Sequence, residues 1–389
     1  MTRYLSWLFR KASRDTASGQ FIPEIDGLRF IAIFSVIFYH LAGYVTGKLG
    51  RSGEGDVLAY VFSKGFIGVQ LFFVISGFVI ALPFAKSAFF GSKKPRLSQY
   101  FFRRLTRLEP PYIANLIIIY ILLVLVNGAD AWSLLPHLLS SMLYNHNLIH
   151  GGASLINNVA WSLEIELQFY ALAPLLTILF LIRSDMLRRV LLIGSIGVLT
   201  VLVPDSMQAH PWFHITIIPF ARYFLTGFLL LDFYLKELPK YPEKTYSWDV
   251  VSLIAWSVFI ALLYTNHPRL LTVPILLAYY AGFKGVFSNR FFTHPFTYTI
   301  GGMCYSIYLY HFQLISVFGR LFVHFFAIHP YALWVEISIT GLVAVPLILL
   351  VSTLLFILME KPCMRRGWYL DASAKLSTIT GRINSRRTE

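Results

Sequence analysis

The chain is short of charge. Of its 389 residues 13% are charged and 57% hydrophobic, where a soluble domain carries roughly 25% and 45–50%. Too little polar surface remains to cover a water-facing globule, so a soluble fold is excluded. Acids are the scarcer sign, with 19 Asp and Glu against 33 Lys and Arg. Cysteine is nearly missing. Cys304 and Cys363 give neither a disulfide framework nor metal-ligand spacing, and no metal is expected. The apolar runs lack the alternation of a membrane β-barrel. No internal repeats stand out, and the basic stretch from Met1 to Gln20 lacks the apolar run of about 7–15 residues that a secretory leader needs. It reads instead as a leader lying along the membrane surface through Tyr4, Leu5, Trp7, Leu8 and Phe9.

What the chain does have is long apolar runs. A bilayer core takes about 20 mostly apolar residues per helix. Runs of that kind fall at 27–47, 65–83, 111–127, 159–182, 189–204, 213–232, 249–265, 269–285, 297–322 and 332–358. The expected fold is all-α: a polytopic transmembrane helical bundle of about ten spans with both termini cytoplasmic. The orientation follows from the positive-inside rule. With the N-terminus inside, the inner segments hold 26 of the 33 Lys and Arg, while the outer loops hold only Lys48, Arg51, Lys64 and Arg269. Setting orientation therefore accounts for most of the net charge of +14, and nucleic acid is not expected as a partner.

Ionisable side chains at membrane depth are expensive and mark function. Arg29 and His40 are eleven residues apart, within about 20° of three helical turns and separated by about 16 Å along the axis. They share one face beside Asp26. Glu164 and Glu166 open the fourth span in Trp161-Ser162-Leu163-Glu164-Ile165-Glu166, where their spacing sends them in different directions. Arg222 lies inside the sixth span. Tyr305, Ser306 and His311 lie on the ninth, where His311 reads equally as packing or as a second catalytic group. On the inner side Arg103, Arg104 and Arg107 form one patch at helical spacing, suited to phosphate. Anionic lipid headgroups and the phosphates of coenzyme A both fit it. The segment 128–158 carries Trp132, His137, Tyr144, Asn145, His146, Asn147 and His150, which suit sugar recognition or a membrane-interface loop.

Five of these elements, in order, resemble the acyltransferase family 3 integral membrane proteins. They are Ile25-Asp26-Gly27-Leu28-Arg29 with His40, Gly68-Val69-Gln70-Leu71-Phe72-Phe73-Val74-Ile75-Ser76-Gly77-Phe78, Arg103-Arg104-Leu105-Thr106-Arg107-Leu108, the Trp161–Glu166 stretch with Phe169-Tyr170, and Tyr305-Ser306-Ile307-Tyr308-Leu309 ending in His311. The chain departs from the pattern at Glu109, where an apolar residue is expected. The resemblance implies a basic leader over 1–21, a membrane acyltransferase domain over 22–360 and a basic cytoplasmic tail over 361–389, in the inner membrane of a bacterium. It implies O-acyltransfer, usually of acetyl, from cytoplasmic acyl-CoA to a hydroxyl of a cell-surface glycan or its lipid-linked precursor. Some members carry an extracytoplasmic hydrolase-like domain. This chain ends about 30 residues after its last span, which implies that it acts alone or with a separate extracytoplasmic acyl-handling partner.

Transfer from a thioester needs a base for the acceptor hydroxyl and a stabiliser for the oxyanion. The expected catalytic set is His40, Arg29, Glu164, Glu166 and His311, with Arg103, Arg104, Arg107 and Arg222 binding acyl-CoA. No cofactor is expected to be permanently bound. The competing reading is a glycan or lipid transporter, which would move its substrate without consuming thioester.

Overall fold

The computed structural model describes Arg14 and residues 21–51, 53–203, 216–265, 267–329, 331–365 and 367–368. Most of the proposed leader and tail therefore lies outside the described residues. Among the described residues the chain is helical and contains no strand. The helices that matter here are α1 (Pro23–Leu49), α2 (Val57–Ser63), α3 (Gly68–Phe90), α4 (Leu97–Leu125), α5 (Ala131–Met142), α6 (His146–His150), α7 (Trp161–Leu176), α8 (Asp185–Leu202), α9 (Ala221–Lys236), α10 (Tyr246–Tyr264), α11 (Thr272–Lys284), α12 (Val286–Phe292), α13 (Pro295–Gly302), α14 (Cys304–Ile328) and α15 (Leu333–Leu355).

Among the described residues eight helices are long and apolar enough to cross a membrane, or nine if the α11–α12 pair, bent by 89°, counts as one span. The protein is a multi-pass membrane bundle. About ten spans are expected from the sequence, and the difference falls on 189–204. The helix there, α8, begins at Asp185 and includes Arg188 and Arg189, so it brings three charges into its first two turns. All three are paired. Arg188 and Asp232 are both fully buried and are paired, Arg189 reaches the other Asp232 oxygen at 2.7 Å, and Arg188 also holds Asp185 at 2.7 Å. This network welds α8 to α9, and the pairing lets the helix keep its charges.

A second difference concerns the arginine patch. The third span is expected from residue 111, with the arginines on a separate short helix. Instead α4 runs unbroken from Leu97 through Pro110 and Pro111. The two prolines remove the N–H groups that would bond the Thr106 and Arg107 carbonyls, but the helix continues. The patch is thus rigidly attached to a span.

The third difference is the segment 128–158, which is not simply an outer loop. Tyr120 on α4 donates to the Ala131 carbonyl at 2.9 Å, and Tyr112, two turns earlier, donates to the Ser141 carbonyl at 3.1 Å. α5 therefore runs back antiparallel to α4 and re-enters the bundle. At its tip Tyr144 adopts φ 55°, the one positive φ outside glycine among the described residues. Its ring stacks on that of Tyr112 at 4.7 Å.

Helix contacts use small residues, as expected where lipid removes any hydrophobic drive for association. At the α3–α9 crossing a Cβ on Gly77 would lie 2.1 Å from the Phe224 carbonyl, and one on Gly227 would lie 2.1 Å from the Val74 carbonyl. Only glycine allows backbones to approach this closely.

Candidate active site

α1 carries two polar stations. At the first, Asp26, only 3% exposed, pairs with Arg29 one turn on and with Arg14 at 3.2 Å. α13 packs against this turn through Gly301, whose Cβ would sit 1.7 Å from the Asp26 carbonyl.

The second station is His40. Its Nδ1 lies 3.1 Å from the Val36 carbonyl and 3.0 Å from Nε2 of His311 on α14. The Nδ1 of His311 faces the carbonyls of Ile307 at 3.2 Å and Tyr308 at 2.8 Å. A ring nitrogen between two carbonyls must carry the proton, so Nε2 of neutral His311 is an acceptor. It takes the hydrogen bond from His40 Nδ1–H. The proton of His40 is thereby held on Nδ1, and the lone pair on its Nε2 is left bare. This is the form of a general base or nucleophile.

The turn that carries His311 is anchored by polar side chains. Asn115 of α4 donates to the Leu309 carbonyl at 3.0 Å, and Asn157 donates both to that carbonyl at 3.2 Å and to Asn115 at 2.8 Å. The Tyr308 hydroxyl donates to the Val159 carbonyl and lies 2.7 Å from the Ser162 hydroxyl.

Two connected cavities lead toward this pair. The outer one, about 460 Å³, is a vestibule lined by eight basic side chains (Arg14, Arg29, Lys86, Lys93, Arg96, Arg103, Arg104 and Arg107) and one acid, Asp26. The inner one, about 100 Å³, shares Arg14, Arg29, Val79, Arg104 and Arg107 with it. It continues past Ser76, Glu166, Tyr170, Tyr305 and Glu360 to Tyr308. The Tyr308 ring adjoins that of His311 at 5.8 Å between centroids. So the cavity stops one aromatic ring short of the histidines.

The expected residues separate at this point. Arg29, Arg104 and Arg107 line both cavities, Glu166 lines the inner one, and Arg103 lines the vestibule from an exposed position. Glu166 accepts hydrogen bonds from Ser76 at 2.6 Å and from Tyr170 at 2.5 Å. Glu164 points elsewhere. Buried, it accepts the backbone N–H of Asn147 at 2.9 Å and so holds the re-entrant hairpin. Arg222 is buried beside the Tyr223 ring and lines neither cavity; the structure does not bring it to the arginine patch.

The sequence reading misses Glu360. It sits in a π-helical turn, Phe356–Glu360, that follows α15. There it accepts from the Ser306 hydroxyl at 2.6 Å and the Ser306 N–H at 3.1 Å, with Arg107 at 3.9 Å. An acid closing an apolar run beside Lys361 looks like an ordinary end of a span. Only the π-turn, a common mark of functional sites, turns it inward. Asn115 and Asn157 are missed as well, because single amides in apolar or loop segments have no spacing to read.

Among known proteins, a peptidoglycan O-acetyltransferase, OatA, of Listeria monocytogenes is 25% identical over 335 residues, covering 77% of this chain and 50% of the relative. An O-acetyltransferase OatA of Staphylococcus aureus is 24% identical over 356 residues, covering 84% of this chain and 56% of the relative. The chain thus spans about half the length of the curated relatives it matches. No solved structure matches it. The family described as an acyltransferase domain matches residues 22–360, a stretch that takes in Arg29, the arginine patch, both histidines and Glu360, and the chain belongs to that family.

Proposed function

We propose that the protein is a membrane O-acyltransferase that moves an acyl group, acetyl in the expected case, from acyl-CoA to a hydroxyl of a cell-surface glycan or its lipid-linked precursor. The observation that carries the reading is the His40–His311 pair, with its bare Nε2, one aromatic ring beyond an arginine-lined approach. Eight basic side chains facing one vestibule suit a ligand with several phosphates. The pantetheine arm of coenzyme A would run inward past Arg29 toward Tyr308, over a distance comparable to the roughly 16 Å that separates Arg29 from His40 along α1.

In this scheme Nε2 of His40 takes the proton of the acceptor hydroxyl as the hydroxyl oxygen attacks the thioester carbonyl. The C–S bond breaks, coenzyme A leaves as its thiolate, and the proton goes on to that sulfur. If His40 instead carries the acyl group briefly, the same lone pair forms the bond. Arg29 is the cation nearest the path on α1, and the Asp26 carboxylate fixes its guanidinium.

Basic side chains from several segments gather at the vestibule end: Lys86, Lys93 and Arg96 line it, and Arg188 and Lys236 both face the ring of Phe89. This supports the vestibule end as cytoplasmic, with the protein in a bacterial inner membrane. The names of the two relatives support acetyl as the group moved, and the peptidoglycan in one name makes a wall polysaccharide the first acceptor to try.

The test is to incubate membranes containing the protein with acetyl-CoA labelled in the acetyl group. Label should pass to glycan from intact protein and fail to pass from an equal amount of His40→Ala. Label that stays in acetyl-CoA with every glycan offered, from well-inserted protein, would remove the acyltransferase reading.

A further inference from the structure

The acyl-transfer scheme leaves unused a cluster of three histidines on the re-entrant hairpin, the one group of His, Cys, Asp or Glu side chains among the described residues whose ligand atoms converge as metal ligands would. We propose that His137, His146 and His150 form a binding site for a divalent transition-metal ion of the Zn2+ class, which staples α5 to α6 within this hairpin.

One ligand atom from each of the three residues lies within 4.8 Å of the others. The three rings face one another with centroids 4.2–5.1 Å apart. His146 is buried, His137 half-buried and His150 exposed. Nδ1 of His146 lies 3.0 Å from the Gly152 carbonyl. It therefore holds the proton there and leaves Nε2 bare. A backbone carbonyl that fixes the distal nitrogen of an imidazole is the usual outer partner of a metal-bound histidine. That Nε2 lies 2.8 Å from Nδ1 of His137 and accepts its N–H, a hydrogen bond that an ion would replace.

Around a tetrahedral Zn2+ with bonds of about 2.0–2.1 Å, ligand nitrogens stand roughly 3.3 Å apart. Binding requires this pair to open by about half an ångström and the third ring to close in from within 4.8 Å. Neutral imidazoles suit Zn2+, and three of them leave one coordination position open. With His150 exposed, that position is accessible to water.

The local frame is built to hold the three rings. His146 and His150 are an i,i+4 pair on α6, so they share a face. The reversal at Tyr144 brings that face against His137. Ser141 donates to the His137 carbonyl at 2.7 Å and meets Ser154 at 2.7 Å. Glu164 anchors the start of α6 through the Asn147 N–H. Two residues before His146, Tyr144 lines a small cavity together with Glu166 and Tyr305. An ion at the histidines would therefore set the position of a residue that borders the reaction path.

The test uses the full chain in detergent, purified without a polyhistidine tag, stripped by a chelator and dialysed against Zn2+ or Co2+. About one ion per chain should be retained, and Co2+ should show the intense d–d bands of a four-coordinate site. His150→Ala changes an exposed side chain and His137→Ala a half-buried one, so both should elute as folded protein. Each should lower metal affinity 100-fold or more. Stripped protein that takes up neither ion at micromolar concentration overturns the proposal. So does undiminished binding in both variants. Because metal uptake is read without acyl-CoA or glycan, its failure and the failure of the acyltransferase reading are separate results.

Discussion

Replacing His311 separates two roles that the same pair of rings would allow. If His311 only orients His40, its loss removes one acceptor from His40 Nδ1–H, and the Val36 carbonyl at 3.1 Å remains to hold the proton on that nitrogen. One such hydrogen bond is worth about 0.5–1.5 kcal/mol net, which converts to a rate loss of up to roughly tenfold. Losing the base itself costs roughly 10²–10⁴-fold. The expected order is therefore His40→Ala far below His311→Ala. His311→Gln should stand near the parent, because its amide oxygen can replace Nε2 as the acceptor. His311 is fully buried, so the alanine variant also leaves a hole, and rates must be taken per folded protein from a monodisperse fraction. The assay is transfer of labelled acetyl from acetyl-CoA to glycan in membranes, at saturating donor. If His311→Ala falls as far as His40→Ala and His311→Gln restores nothing, His311 is a chemical participant and the orienting role is refuted.

Arg104→Ala should raise the KM for acyl-CoA about tenfold, the effect of one lost charge-assisted phosphate contact, and leave the acceptor KM unchanged. The reverse pattern in a two-substrate titration assigns the patch to lipid. Asp232→Ala leaves Arg188 buried with its principal counter-charge gone. It should destabilise the protein by about 3–5 kcal/mol, seen as an earlier thermal transition in detergent. Gly301→Ala puts a methyl into the Asp26 carbonyl, costing about 1–3 kcal/mol or more as α13 moves away from α1. Acyl transfer should fall with the transition temperature, because the displaced turn carries Asp26 and Arg29.

Much of the fold was legible because a bilayer imposes a simple rule. Each span needs a continuous apolar run, and such runs are visible in one dimension. The rule fails where a helix keeps its charges by pairing them. For α8 the apolar run predicts a start at 189 and the helix starts at Asp185, since Arg188 and Arg189 look like orientation charges until Asp232 is seen between them. The re-entrant hairpin escaped for the opposite reason. α5 is only twelve residues long, too short to announce itself as membrane-embedded, and nothing local shows that it folds back along α4.

The candidate site divides along the same line. Arg29 and His40 read as a pair because both lie on one helix, where spacing fixes the face. No sequence rule brings His311 to His40 across 271 residues, which is why packing and catalysis stand level for it in the sequence. Glu164 and Glu166 show how much burial alone leaves open. Their spacing requires divergence, and the structure supplies the destinations: Glu166 faces Ser76 and Tyr170 in the inner cavity, and Glu164 faces the N–H of Asn147. A carboxylate that takes a backbone N–H is holding a loop in place. One held by two hydroxyls in a basic cavity faces whatever enters it. Of the two acids in the Trp161–Glu166 stretch, Glu166 is therefore the one the proposed scheme can place against substrate, and Glu164 holds the hairpin that carries Tyr144 and the three histidines.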